Sequence, residues 1–151
     1  MSEFSEVNYW NERYKNGGNS GAGSYNTEAM LKASFINTWI KNLDIKTITE
    51  IGSGDGNNAM MYDVKMSYCG YDISSEAIKL SETRFNKHRN RLFYFFTDKE
   101  EYIDYDAKLC LCLDVWYHLI NDSVFEELCQ KLFVKGKWKF LVIYSYEENP
   151  F

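Results

Sequence analysis

Three features of the chain have the spacing of a nucleoside-binding site. Glu50 precedes the glycine-rich turn Gly52-Ser53-Gly54-Asp55-Gly56, and Asp72 follows about twenty residues later. Glycines let the backbone turn tightly and approach a ligand closely, while an acid at this distance can accept hydrogen bonds from two ribose hydroxyls. A dinucleotide fingerprint needs G-x-G-x-x-G, and here Asn57 stands in place of the third glycine. A Walker phosphate loop is excluded because no Gly-Lys-Ser/Thr follows the turn.

Two further acids are expected at the same place. Thr97-Asp98 follows the third predicted strand, and Asp114 follows the fourth. Because the carboxyl ends of parallel strands meet at one edge of a sheet, Asp72, Asp98 and Asp114 are predicted to lie along that edge. A lone glycine turn also occurs in ordinary strand-to-helix connections, and solvated rims also carry acids. The order and spacing of all these features together favour a ligand site.

The elements that must position these residues alternate between β and α patterns. Strands are predicted at 47–51, 68–72, 92–96, 107–113 and 138–145. A helix is predicted around Trp10. A second helix is predicted from Asn26 as N-cap to Lys41, and its apolar residues are Leu31, Phe35 and Trp39 with Ile36 and Ile40. Further helices are predicted near Asn57 or Asn58 and from Ser74 or Ser75. A last helix is expected from a Ser123-x-x-Glu126 capping box to Gly136.

This pattern predicts an α/β fold, a Rossmann-like and mainly parallel sheet of about five strands with helices on both faces. The apolar run 107–113 is expected to be a central strand, since it is apolar on both faces. One domain is predicted over 1–151. Residues 1–25 would form an N-terminal helix and a glycine-rich lid loop, and 26–151 the core. The alternative for the loop is a disordered linker.

Composition restricts the class of partner and the compartment. A net charge of -5 and a pI near 5.1 argue against a nucleic-acid binder. The mean hydropathy is -0.46, and no apolar run approaches the length of a membrane-spanning helix, about 18 residues. No membrane segment is therefore predicted, and a cytoplasmic protein is expected. The four cysteines, Cys69, Cys110, Cys112 and Cys129, form no C-x-x-C pair, so we interpret them as structural thiols and predict no metal site.

The sequence resembles the class I S-adenosylmethionine-dependent methyltransferases. Glu50 to Gly56 is similar to their first motif, Tyr71-Asp72-Ile73-Ser74 to their second-strand motif, and Thr97-Asp98 to their segment beside the adenine. The likeness extends to a small bacterial and viral-type subgroup through three segments, Trp10 to Tyr14, Gly21 to Tyr25 and Leu113 to Leu119. The family usually continues beyond the fifth strand with a helix and an antiparallel hairpin, whereas the given sequence stops at Phe151. A fold truncated to five strands is expected, or else an incomplete relative of the family. It also lacks an Asn-Pro-Pro-Tyr-like segment after the fourth strand, which disfavours methylation of nucleobase amino groups.

The resemblance implies S-adenosyl-L-methionine as the cofactor. The glycines of the turn would surround its amino-acid part, Asp72 would hold the ribose, Asp98 the adenine amino group, and Leu113 with Asp114 would lie beneath the methionine. Arg13 is the candidate for the cofactor carboxylate, with an ordinary surface residue of the first helix as the alternative. The full set of predicted cofactor residues is Arg13, Gly52, Ser53, Gly54, Asp55, Gly56, Asp72, Ile73, Thr97, Asp98, Leu113 and Asp114.

The function predicted from this resemblance is transfer of a methyl group to an unidentified, small-molecule acceptor. Such a transfer is an in-line displacement that depends mainly on positioning, and His118, Tyr117 and Asp114 are the candidate proton acceptors. The alternative for His118 is a packed, structural histidine. Two other functions stay open: a cofactor-binding regulatory or partner protein without transferase activity, and an enzyme that degrades the cofactor. An open sheet edge at 138–146 predicts a homodimer or a protein partner.

Overall fold

The computed structural model describes residues 4–63, 65–95 and 103–145. In chain order, its main elements are α1 (Glu6–Lys15), α2 (Asn26–Asn42), β1 (Thr47–Ile51), β2 (Ser67–Asp72), α3 (Ser75–Arg84), β3 (Arg91–Phe95), β4 (Leu109–Leu113), α4 (Asp122–Cys129) and β5 (Phe140–Tyr144). Short 3₁₀ turns occur at Ala22–Ser24, Asn58–Met61 and Trp116–His118, and α4 continues into a π-helical segment, Gln130–Lys135.

The five strands form one parallel sheet with the order β3-β2-β1-β4-β5. Ile48 of β1 lies opposite Tyr68 of β2 on one side and Leu109 of β4 on the other. The chain therefore reverses its direction of travel across the sheet at β1, which opens a crevice at the carboxyl ends of β1 and β4. Every residue of β4 is buried, which confirms the prediction of a central strand.

Helices cover both faces of the sheet, as predicted. On one face, α2, α3 and the Asn58–Met61 turn pack on a core that includes Ile36, Tyr68, Phe93 and Leu111. On the other face, Leu128 and Leu132 from α4 and the π-helical segment pack against Cys110 and Cys112 of β4. Between β3 and β4, residues 103–108 are irregular and lie against the sheet, where the Thr49 hydroxyl donates to the Asp104 carbonyl at 2.8 Å.

Helix α2 confirms only part of its predicted apolar side. Ile36 and Ile40 are buried, as predicted, together with Ala29, Lys32 and Ala33. Leu31, Phe35 and Trp39 are exposed instead, by 58%, 56% and 37%. The alanines allow a close approach of the helix to the sheet, so the small side chains pack inward and the large rings stay outside.

Two predicted helix caps are wrong and two predicted helix boundaries are confirmed. Tyr25, with no side-chain cap bond, occupies the N-cap position of α2, and Asn26 is already the first helical residue. Asn121 caps α4, since its side chain accepts from the Ser123 backbone N–H, so the predicted box starting at Ser123 is two residues too late. Ser74 caps α3 by accepting from the Ala77 N–H at 3.2 Å, and Gly136 ends the segment after α4.

All four cysteines are free. Cys110 and Cys112 are completely buried in β4, and this burial raises the pKa of both thiols. They are packing residues, as predicted, whereas Cys69 and Cys129 are only partly buried. Among the described residues, no helix combines the length and the apolar character needed to cross a bilayer.

Candidate functional site

The glycine turn after β1 is shaped by contacts that require glycine. The N–H groups of Gly52 and Ser53 both donate to the Tyr71 carbonyl, at 2.8 and 3.0 Å, so the turn folds back over the end of β2. Gly52 and Gly54 have φ values of +80° and +56°, in the left-handed region. A Cβ on Gly52 would lie 2.2 Å from Val115 Cγ2, so this position also has no room for a side chain. The turn therefore presents bare backbone at the carboxyl edge of the sheet.

Asp72 stands at the carboxyl end of β2, beside this turn. Its Oδ2 accepts from the Gly54 N–H and its Oδ1 from the Ser74 N–H, both at 2.8 Å. Burial raises the pKa of Asp72 to about 6, and the two backbone hydrogen bonds act against that rise. The carboxylate is thus ionised at neutral pH and fixed in direction by two N–H groups on neighbouring elements.

A cavity of about 250 Å³ opens at this edge of the sheet. The strand ends form its floor, α1 and the glycine-rich loop form one wall, and α4 forms another. Its lining comprises Val7, Trp10, Tyr14, Ser20, Ser24, Ile51, Gly52, Gly54, Tyr71, Asp72, Ile73, Leu113, Asp114, Val115, His118, Leu119, Val124, Glu127, Leu128 and Lys131. The lining is mostly apolar with a few converging polar groups, which is the usual character of a small-molecule site.

The structure brings seven of the predicted site residues to the cavity wall: Gly52, Gly54, Asp72, Ile73, Leu113, Asp114 and His118. Thr97 and Asp98 lie outside the described residues. Arg13 is directed elsewhere, since its Nε donates to the Asn19 carbonyl at 2.7 Å and its guanidinium lies 5.7 Å from the Trp10 ring centroid. Gly56 faces α3, where a Cβ would meet Phe85 at 3.0 Å, and Ser53 and Tyr117 are not in the wall either.

Asp55 of the turn faces the glycine-rich loop. Its Oδ1 accepts from the Ser20 hydroxyl at 2.9 Å and its Oδ2 from the Tyr25 hydroxyl at 2.6 Å. We call Asp55, Ser20 and Tyr25 the loop anchor. Arg84 approaches the same carboxylate at 3.6 Å. Because both carboxylate oxygens are engaged in this way, Asp55 holds the loop against the turn.

Two further hydrogen bonds support the loop anchor. Because the Ser20 hydroxyl gives its proton to Asp55, the Tyr14 hydroxyl must donate to Ser20, at 2.9 Å. Burial raises the pKa of Tyr14, so this hydroxyl keeps its proton throughout the ordinary pH range. The Asn57 side chain donates to the Ser24 carbonyl at 2.8 Å. The sequence analysis missed Ser20 and Tyr25 as site residues, although both lie in loop segments that it singled out.

The three predicted proton acceptors have different surroundings. His118, in the Trp116–His118 turn, packs edge-on against Trp10 with ring centroids 5.0 Å apart. Burial lowers the pKa of His118, and the nearby Asp114 carboxylate partly opposes this shift. The imidazole is therefore neutral at pH 7 and able to accept a proton. Tyr117 lies next to it, with ring centroids 4.3 Å apart.

Asp114 forms a buried ion pair with Lys32 of α2, in which the side chains are 9% and 8% exposed. Asp114 has a φ of +59°, and its N–H donates to the Tyr144 carbonyl at 2.8 Å. The loop comes close as well, since a Cβ on Gly23 would lie 2.7 Å from Asp114 Oδ2. Lys32 was not predicted as a site residue, because nothing in the sequence links α2 to the end of β4.

Glu50 lies beneath the turn in the core of the sheet and does not reach the cavity wall. It accepts from the Tyr68 hydroxyl at 2.7 Å and from the Tyr62 hydroxyl at 3.5 Å. Burial raises the pKa of Glu50 to about 7, against the effect of the Tyr68 hydrogen bond and of Lys32. Its contacts make it part of the support under the turn.

No protein-family model matches the sequence, and no curated protein matches it. Solved structures do match the fold. The chain is similar to magnesium protoporphyrin IX methyltransferase from Synechocystis with bound S-adenosylhomocysteine, at 14% identity and a TM-score of 0.62, over 87% of this chain and 66% of that one. The N-methyltransferase NodS from Bradyrhizobium japonicum, in complex with S-adenosylhomocysteine, matches at 10% identity and a TM-score of 0.66, over 85% and 66%.

The methyltransferase domain of bacterial CtHen1 matches as well, at 13% identity and a TM-score of 0.66, over 76% of this chain and 64% of that one. The chain thus spans less than two thirds of the length of each of these three proteins. The fold is that of the class I S-adenosylmethionine-dependent methyltransferases, which confirms the fold predicted from the sequence.

Proposed function

We propose that this chain binds S-adenosylmethionine and transfers a methyl group from it to a small-molecule acceptor. The observation that carries the proposal is the position of Asp72. Its carboxylate is ionised, held by the N–H groups of Gly54 and Ser74, and set in the wall of a cavity beside a glycine turn. An acid at the end of the second strand of such a sheet suits the two hydroxyls of a ribose.

The other wall residues fit the remaining parts of this cofactor. Gly52 and Gly54 leave backbone open for the amino-acid part, because neither carries a side chain into the cavity. Ile73 and Leu113 add apolar surface next to Asp72. The same residues would suit a nicotinamide dinucleotide less well, since Asn57 replaces the glycine that allows close helix packing in dinucleotide sites.

S-adenosylmethionine would supply an activated methyl group on a sulfonium, so the chain itself has to position the acceptor and take up its proton. We assign the second task to His118. Its imidazole is neutral, lies in the cavity wall and is held by Trp10. Asp114 suits this role less, because its carboxylate is already paired with the Lys32 ammonium. Such a base is needed only if the acceptor is a hydroxyl or an ammonium.

A small acceptor is supported by the size of the cavity, about 250 Å³, and by the net charge of -5. An acidic surface repels polyanions, so a nucleic acid would have to bind against the field of the whole chain.

The first test is calorimetric titration with S-adenosylmethionine, S-adenosylhomocysteine and a nicotinamide dinucleotide. We expect micromolar binding of the first two, about -8 kcal/mol, and none of the third. Asp72→Asn should weaken binding at least about tenfold, because it removes the charge that receives the ribose hydroxyls. Glu82→Gln, which neutralises an exposed acid on α3, serves as the matched control. Failure of the intact chain to bind S-adenosylmethionine would contradict the proposal.

A second test separates transfer from binding alone. The chain is incubated with methyl-labelled S-adenosylmethionine and a panel of small hydroxyl, amine and carboxylate acceptors, and the products are identified by mass spectrometry. Labelled acceptor together with S-adenosylhomocysteine supports transfer. Binding without any product would instead favour a cofactor-binding partner protein, and fragments of the cofactor without a methylated acceptor would favour its degradation.

A further inference from the structure

Lys131 is a lysine buried in the wall of the cavity. Its side chain is only 3% exposed, and its neighbours in the same helical stretch, Leu128 and Leu132, belong to the core on this face of the sheet. Burying an ammonium costs free energy that an apolar side chain of similar size would not incur. Packing alone therefore does not explain a lysine at this position.

The backbone around Lys131 is fixed by contacts with the segment that follows the helix. Lys131 belongs to the π-helical segment Gln130–Lys135, and the Gly136 N–H donates to its carbonyl at 3.1 Å. The Trp138 indole N–H donates to the next carbonyl, that of Leu132, at 2.9 Å. Wide helical turns of this kind occur frequently at functional sites. Here the two bonds hold the stretch of backbone from which the Lys131 side chain reaches the cavity wall.

The charge of Lys131 is opposite to that of the other ionised groups around the cavity. Among the described residues that line the cavity, it is the only lysine or arginine, whereas Asp72, Asp114 and Glu127 are acids. Asp114 is paired with Lys32, and Asp72 accepts from two backbone N–H groups. An anionic group that enters this cavity therefore finds its opposite charge at Lys131.

Glu127, one helical turn before Lys131, supplies a carboxylate to its ammonium. The two side chains differ greatly in exposure, since that of Lys131 is 3% exposed and that of Glu127 is 59% exposed. The Glu127 carboxylate can turn into water at little cost, whereas the buried ammonium cannot. The pair shows that a carboxylate suits this ammonium, and that the present carboxylate can be exchanged for another.

We propose that Lys131 binds a carboxylate of the methyl acceptor, which takes the place of the Glu127 carboxylate. This assignment rests on the proposed function and narrows the acceptor to a small carboxylic acid. The acid group lies at Lys131, and the part of the acceptor that receives the methyl group lies toward His118. A single ammonium suits a monoanion, because the described part of the wall offers no second lysine or arginine to a more highly charged group.

Direct binding of small acids tests the carboxylate site without any cofactor. The purified chain is titrated with acetate, butyrate and benzoate and with the three matching amides, and binding is followed through the backbone amide resonances in NMR. We expect at least one acid to shift the resonances of α4 and to bind at least about tenfold more tightly than its amide. Equal binding of acids and amides, or no binding of any acid at millimolar concentrations, would overturn the proposal.

Variants of the two paired residues should change acid binding in opposite directions. Lys131→Met should remove the preference for an acid over its amide. Glu127→Gln should strengthen acid binding at least about threefold, because it removes the competing carboxylate. If the pair were only structural, the two variants would not differ in sign. Lys79→Met, which breaks the exposed ion pair with Glu76 on α3, is the matched control and should leave acid binding unchanged.

A preference for acids that survives Lys131→Met, or weaker acid binding in Glu127→Gln, would contradict the carboxylate site. Circular dichroism checks that each variant is folded. Since Glu127 is exposed, its variant decides the question even where Lys131→Met does not fold.

The acid titrations and the cofactor titration fail independently. Binding of S-adenosylmethionine without binding of any acid overturns the carboxylate site alone. Binding of acids without binding of S-adenosylmethionine supports the carboxylate site and contradicts the proposed methyl transfer.

Discussion

The loop anchor holds the glycine-rich loop beside the cavity, and removing one of its hydroxyls should free the loop. Tyr25→Phe deletes the hydroxyl that donates to Asp55 Oδ2 at 2.6 Å and leaves the ring in place. Asp55 keeps its contacts with Ser20 and Arg84 in this variant. The core of the sheet is not touched, so the overall stability should change much less than the position of the loop.

The size of the effect follows from the kind of hydrogen bond that is lost. A hydrogen bond to a charged group contributes about 1.5 to 3 kcal/mol. Since about 1.4 kcal/mol corresponds to a factor of ten, the open form of the loop should become about ten to a hundred times more populated. Tyr25 is only partly buried, which favours the lower end of this range.

Hydrogen exchange followed by mass spectrometry measures this change directly in the peptide that covers 16–25. We expect faster exchange in Tyr25→Phe, and a faster dissociation of S-adenosylhomocysteine in stopped-flow measurements, with an unchanged melting temperature. Tyr9→Phe is the matched control, because it removes a hydroxyl from an exposed tyrosine on α1. A faster exchange rate spread over the whole chain would indicate general destabilisation. Unchanged exchange in 16–25 would refute the role given to the loop anchor.

Three other perturbations probe the charged groups around the turn. Burial raises the pKa of Glu50 from 4.5 to about 7, so the folded state favours the protonated form. The free energy of unfolding should therefore fall by about 3 kcal/mol as the pH rises through this window. In urea unfolding measured from pH 4 to 8, Glu50→Gln should remove this dependence on pH. The pKa of Asp72 is raised to about 6, so the affinity for S-adenosylmethionine should fall as the pH is lowered through 6, whereas Asp72→Asn should show a weaker and pH-independent affinity in the same titration. Lys32→Met leaves the Asp114 carboxylate buried without its ammonium partner. It should lower the free energy of unfolding, measured by chemical denaturation, by about 3 to 5 kcal/mol. Adding Asp114→Asn to the same chain should restore part of this loss.

The sequence predicted the strands well because each is short, apolar and followed by a turn signal. Its failures on α2 have a physical cause. Leu31, Phe35 and Trp39 repeat every four residues, and Ala29, Ala33, Ile36 and Ile40 recur every three or four residues on the neighbouring side of the same helix. Periodicity alone does not distinguish two adjacent apolar faces, and the sheet accepted the face with small side chains.

The predicted residues in the cavity wall have two origins. Leu113, Asp114 and His118 came from the resemblance to a known family at the end of the fourth strand, and the others from the pattern of one βαβ unit. Gly52, Gly54 and Asp72 could be found in this way because a short stretch of sequence contains the whole pattern. The contacts of Asp55 with Ser20 and Tyr25, and the pairing of Lys32 with Asp114, join residues that are 30 to 82 positions apart. Such contacts depend on how α1, the loop and α2 are placed over the sheet, and no local pattern encodes that placement.

The order of strands has a consequence for how the chain acquires its structure. β1 lies in the middle of the described sheet, β2 and β3 are added outward on one side, and β4 and β5 follow on the other. Because all four strand pairs are parallel, none is closed by a hairpin, and each requires a long connection to be ordered before its hydrogen bonds form. The first half of the sheet already carries the glycine turn and Asp72, but Leu113 and Asp114 come with β4. The cavity is therefore complete only when β4 has joined the first half of the sheet, and a ligand that fills it stabilises only those chains in which the two halves have joined.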